Sequence, residues 1–212
     1  MTLVLTAVPL WMHLALVAEC RARVEQAIAR RERIAADPRR DMQLFLAIGV
    51  AILHSNDIGS AAMVDPLTQA LALAEHLDDT EHRLQALFAL YVYRVAVGDY
   101  RDTRALAERL RAVSATLGDP IEGLIGARFV GTILHLLGDQ PAARRHVEST
   151  LAADFAPTRQ QHIARYQWDQ RVVAQSFYAR IAWLQGDVDR AMRVADDTVE
   201  YARSAGHADI PP

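Results

Sequence analysis

Two short rows of side chains carry the chemistry this sequence offers. Arg128, Thr132 and His135 stand at i, i+4 and i+7, and so do Ser176, Arg180 and Trp183. On an α-helix that spacing places each trio on one face. Two guanidinium groups, an imidazole, two hydroxyls and an indole suit an anionic ligand, because Arg binds carboxylate or phosphate through paired, planar hydrogen bonds. The rows therefore define a candidate ligand-binding surface for an acidic peptide tail or an anionic small molecule. Phe88, Val92 and Val95 occupy the matching positions one unit earlier. A groove with one apolar and one basic end would fit an amphipathic ligand. The competing reading is structural: Arg128 and Arg180 pair with carboxylates such as Glu122 or Asp169, and Trp183 belongs to the core.

Other chemistry is missing by residue type or by spacing. All 23 basic residues are Arg and none is Lys, which removes a phosphate-loop lysine, a Schiff base and a lysine general base. No His-Glu-x-x-His, Gly-x-Ser-x-Gly or Gly-x-Gly-x-x-Gly occurs, and no two of the eight His residues stand three or four apart. His76 and His82 flank the turn Asp78-Asp79-Thr80 and read as surface groups. Adjacent carboxylates such as Asp196-Asp197 diverge around a helix and make no acid/base pair. The single Cys20 excludes an internal disulfide; Arg21 beside it would lower its pKa slightly, yet an inert structural thiol is the better reading. No catalytic residue, metal ligand or cofactor is expected, and the chain does not read as an enzyme.

Charge points the same way. A net charge of −3 and a pI near 6.2 do not suit direct nucleic-acid binding. The basic run Arg30, Arg31, Arg33, Arg39 and Arg40 is interrupted by Glu32 and Asp37 and reads as a helix C-terminus with its adjoining turn. Met1 to Ala18 contains no Asp, Glu, Arg or Lys, but it lacks a basic n-region and a cleavage site, and Pro9 and His13 interrupt it. It is expected to be a buried first helix whose N-terminal neighbour is missing, with no membrane role, and the protein is expected to be cytoplasmic.

The elements that must position these residues are marked by a repeated phrase. Gly98-Asp99-Tyr100, Gly138-Asp139-Gln140 and Gly186-Asp187-Val188 each follow an apolar segment of helical length and precede an amphipathic one. Gly ends a helix in the left-handed conformation, and Asp caps the next. Leu117-Gly118-Asp119-Pro120 and Ala205-Gly206-His207-Ala208 are further turn signals. Between these marks the patterning predicts ten helices near 2–15, 18–36, 41–54, 65–77, 81–97, 101–117, 121–137, 141–153, 159–185 and 188–205, and no strand. The segment Met42 to Leu53 is almost wholly apolar and should be buried on most sides. His54 to Pro66 is the longest loop, and Phe155 to Thr158 is a kink. Ala105, Ala143 and Ala191 are placed to let paired helices approach, with Leu106, Leu110, Val147, Leu151, Val194 and Val199 as larger core groups.

Helix, Gly-Asp corner and a helix carrying an early Ala together resemble the tetratricopeptide repeat (TPR) class, and Gly131 falls where that class keeps a small residue in its first helix. The implied fold is an all-α, TPR-like right-handed superhelix of about five antiparallel helix pairs, with residues 1–212 forming one repeat domain, a piece of a longer array. In such a superhelix the Arg128 and Arg180 rows would line the concave groove. Pro9-Leu10-Trp11-Met12-His13-Leu14, Leu134-His135-Leu136-Leu137-Gly138-Asp139 and Trp168-Asp169-Gln170-Arg171-Val172-Val173-Ala174 are similar to stretches of bacterial regulators that join a winged-helix DNA-binding domain and an ATPase module to a C-terminal TPR-like array. That resemblance implies a non-catalytic protein- or ligand-binding module of a signal-responsive transcriptional regulator. No Walker motif or recognition helix lies in this chain, so ATP and DNA binding transfer to none of its residues. The alternative is a scaffold or self-association module with no small ligand, forming a homo-oligomer through its terminal helices, since uncapped repeats expose apolar faces.

Overall fold

The computed structural model describes residues 2–31, 34–55 and 58–205. Its described residues form an all-α, TPR-like repeat fold with eleven α-helices and no strand. The helices are α1 (Thr2–His13), α2 (Val17–Arg30), α3 (Pro38–Leu53), α4 (Val64–His76), α5 (Thr80–Ala96), α6 (Tyr100–Ala115), α7 (Pro120–Leu136), α8 (Gln140–Leu151), α9 (Arg159–Tyr166), α10 (Gln170–Leu184) and α11 (Val188–Ser204). The chain divides into two units, Met1–Asp99 and Tyr100–Pro212.

In the first unit, successive helices pack on one another from α1 to α5. As expected, α3 is the buried centre: its side chains from Met42 to Leu53 are almost all inaccessible. It begins earlier than its apolar pattern suggests, because Asp37 caps it through the Arg40 amide and Pro38 takes the first helical position. Gly49 lets Leu67 of α4 lie directly on α3. The first helix is not buried: α1 rests on α2 and α3 by one side, leaving Leu3 85% and Leu10 56% exposed. The basic run is dispersed, with Arg40 on Asp41, Arg39 on Asp79 and Arg31 over the Phe45 ring; Arg33 lies outside the described residues. Cys20 is fully buried, and burial pushes its thiol up rather than down, while Arg21 is held by Glu25.

The three Gly-Asp corners have one geometry. Gly98, Gly138 and Gly186 have φ of 79°, 94° and 82°. In each corner the Asp amide donates to the carbonyl five residues back, on Arg94, Leu134 and Ala182 respectively, at 2.9–3.0 Å. Asp139 caps α8 through the Ala142 amide, whereas Asp187 makes no capping bond and pairs with Arg190. Asp78 builds the same corner without glycine: its φ is 52°, and the Asp79 amide bonds the Ala74 carbonyl. Asp79 caps α5. Burial pushes its carboxyl up, but the His82 hydrogen bonds and the Arg39 charge outweigh that and hold it below the ordinary value. Positive-φ corners thus fall at 78, 98, 118 and 138, twenty residues apart. The Gly206 turn lies outside the described residues.

In the second unit α7 is enclosed, packing on α6, α8 and α10. Corner Gly138 closes the α7/α8 pair and Gly186 the α10/α11 pair. Gly131 and Gly126 permit the close approaches, as the resemblance implied for Gly131. The close-packed position is five residues after each corner glycine, occupied by Thr103, Ala143 and Ala191, all buried. Ala105 is exposed and Ala107 is buried in its place; Val199 is exposed as well.

The expected helix 159–185 is two helices. Gln167 takes a left-handed φ of 62°, its amide bonding the Ile163 carbonyl at 2.7 Å, and this ends α9. Asp169 then starts α10 by accepting from the Arg171 and Val172 amides. A left-handed conformation costs a residue with a Cβ about 1 kcal/mol that glycine avoids. Gln167→Gly should therefore raise Tm by roughly 2–4 °C in a thermal melt, with the helical circular-dichroism signal unchanged.

Candidate functional site

The two rows predicted as one groove have different fates. Arg128, Thr132 and His135 are all buried on α7, beneath α10. Arg128 donates to the Gln170 side-chain oxygen at 2.7 Å and lies over the Phe129 ring, 4.3 Å from its centroid. The His135 ring is bonded to Gln140 at 2.8 Å and meets the Phe177 ring edge-on. The row that was expected to face a groove is thus the face on which α10 stacks. An i, i+4, i+7 pattern specifies a common face, but not which neighbour covers it.

On α10 the matching row is accessible. Ser176 is half-buried and bonds back to the Val172 carbonyl, Arg180 is exposed with its guanidinium 5.2 Å from the Phe177 centroid, and Trp183 is 58% exposed. Phe177 links the two rows, touching His135 on one side and Arg180 on the other. Arg128 is anchored at Gln170, ten residues and about 15 Å along α10 from Arg180. The pair cannot clamp one anionic group. Of the competing structural reading, the core placement of Trp183 is wrong, since it is 58% exposed; Glu122 bonds Arg165 and Tyr166, and Asp169 bonds Arg159.

A second cluster was not anticipated. α9 lays three buried side chains over the start of α7. Glu122, fully buried, accepts from Arg165 through Oε1 and from the Tyr166 hydroxyl through Oε2 at 2.7 Å. His162, 1% exposed, places Nε2 3.3 Å from Glu122 Oε1 and 4.0 Å from Asp119 Oδ2. Burial lowers the His162 pKa, against the pull of Asp119 and Asp169. Asp119 Oδ1 is spent on the α7 cap, accepting from the Ile121 amide at 2.9 Å, which leaves Oδ2 toward His162. The Phe155 and Phe129 rings wall the cluster through edge-on contacts with His162 and Tyr166. Beside it, Asp169 pairs with Arg159 at 2.6 Å; burial pushes this carboxyl up, but Arg159 and the capped amides hold it below the ordinary value. The sequence signal was Glu122 itself, the one acidic residue of α7. Its partners lie more than forty residues away, beyond the reach of any local motif.

No family model matches the chain, and no curated protein matches it. Among solved structures it is similar to the kinesin-light-chain TPR-like repeats of Podosopora anserina, with a TM-score of 0.64 and 17% identity over 95% of this chain and 94% of that one. It is similar to the Rap conjugation gene regulator of plasmid pLS20 in complex with the Phr* peptide, with a TM-score of 0.73 and 14% identity over 95% of this chain and 53% of that one. The apo form of RapI gives a TM-score of 0.74 at 8% identity, over 96% of this chain and 70% of that one. At these identities the likeness fixes the fold: the chain folds as TPR-like repeats. No helix among the described residues is long and apolar enough to cross a membrane.

Proposed function

We propose that this chain is a non-catalytic, cytoplasmic peptide- or protein-binding module, part of a longer TPR-like array in a bacterial signal-responsive regulator. The observation that carries the reading is the exposed pair Arg180 and Trp183, on the face whose counterpart in α7 is used for stacking. Arg and Trp are the residues most often found at binding hot spots, and Leu184 beside them is 61% exposed. Such a surface suits an amphipathic peptide with an acidic group for Arg180 and an apolar side chain for Trp183. The Rap regulator complexed with a peptide supports this choice of partner class.

A peptide array of acidic and apolar decamers, probed with the purified chain, tests it. Binders should lose at least ~10-fold in affinity in both Arg180→Ala and Trp183→Ala, about 1.4 kcal/mol or more each. Binders indifferent to both substitutions, or an array without binders, would remove the proposal.

A second reading, self-association, is favoured by α11. Val188, Met192, Ala195 and Val199 form an exposed apolar row along that helix. Sedimentation velocity separates the two readings: an oligomer that Met192→Asp dissociates would favour assembly.

A further inference from the structure

We infer that Asp119, Glu122 and His162 form a binding site for one divalent transition-metal ion at the junction of α7 and α9. Each of the three residues offers one ligand atom, and these atoms lie within 4.8 Å of one another. A tetrahedral ion with bonds near 2.0–2.1 Å sets its ligands about 3.3–3.4 Å apart. Nε2 of His162 and Oε1 of Glu122 already stand at 3.3 Å. Oδ2 of Asp119 is 4.0 Å from the same nitrogen, and that side chain, 28% exposed, has room to close the difference.

The independent sign of a ligand is His162. Its side chain is 1% exposed, and neither ring nitrogen makes a hydrogen bond among the described residues. Buried polar groups without a partner are rare in folded proteins. Here one of the unpaired nitrogens faces two carboxylates. One imidazole with two carboxylate oxygens matches Zn²⁺ or a similar borderline ion, with the fourth position left to water. The groups behind the site are suited to orienting its ligands. Tyr166 donates to the other oxygen of Glu122, Arg165 donates to Oε1 itself, which keeps a second lone pair for an ion, and the Ile121 amide holds the other oxygen of Asp119. The Arg165 guanidinium offsets one of the two carboxylate charges and so weakens the attraction for a dication.

The test uses the full chain, stripped with a chelator and titrated first with Co²⁺ and then with Zn²⁺. One equivalent of Co²⁺ should produce visible absorption that Zn²⁺ abolishes. Zn²⁺ at a hundredfold excess over its Kd should raise Tm by roughly 5–10 °C. Asp119→Asn, which keeps a good helix cap, and His162→Gln should each weaken binding at least ~100-fold, the upper end for losing a mere outer partner. Melts without metal establish that each variant folds, and Asp119→Asn decides the matter should His162→Gln fail to do so. Absence of stoichiometric binding, or binding kept by a folded Asp119→Asn, would overturn the inference.

Discussion

Glu122→Ala is expected to be the most damaging single substitution in the chain, costing about 3–5 kcal/mol and lowering Tm by roughly 10 °C or more. The reason is what it leaves behind. Arg165, with 5% side-chain exposure, would retain a buried charge with its carboxylate gone, and the Tyr166 hydroxyl would lose its acceptor. A buried pair is expensive to break by one partner, yet replacing both partners with apolar groups of similar size is often tolerated. The double variant Glu122→Leu/Arg165→Met should therefore recover much of the loss. A thermal-melt double-mutant cycle that gives a coupling near zero would contradict the buried ion pair.

The second large effect concerns backbone approach. A Cβ added at Gly126 would stand 2.8 Å from the Arg111 Cα and 3.2 Å from the Ser114 Cβ. The first of these atoms is backbone and cannot swing aside, so α6 and α7 would have to separate. Gly126→Val should cost about 3 kcal/mol, the upper end for overpacking, measured by urea denaturation. Gly123, three residues earlier on the same helix, has open space around it. Gly123→Ala should instead stabilise by up to about 1 kcal/mol through helix propensity.

The repeat fold was readable where the chain uses residues with one mechanical meaning. Gly98, Gly138 and Gly186 mark left-handed corners because glycine alone adopts that backbone without strain, and all three are such corners. Asp78 performs the same turn, and Gln167 ends its helix in the left-handed region, both with ordinary side chains, so the twenty-residue spacing and the split between α9 and α10 were hidden. Thr103 and Ala107 are buried where Ala105 was expected to be, because a two-residue phase error is invisible when the candidates are all small. At the site, periodicity correctly grouped Arg128 with Thr132 and His135 but could not say that α10 covers them. One of the two candidate rows, Ser176, Arg180 and Trp183, remains accessible; the other became an internal joint through Gln170 and Phe177. The Glu122 cluster was unreadable for a different reason: it exists only because α9 folds back across α7.

Corners set twenty residues apart make a chain tolerant of modular exchange, since a pair can be duplicated, lost or traded without disturbing the phase of the helices downstream. That tolerance ends at Gly138. Beyond it the interval lengthens to accommodate α9, and α9 is bolted by Arg165 and Tyr166 to one particular carboxylate of α7. The stretch from Asp119 to Asp169 must therefore be inherited as a block, and a recombinant that cuts inside it would carry a lock without its key.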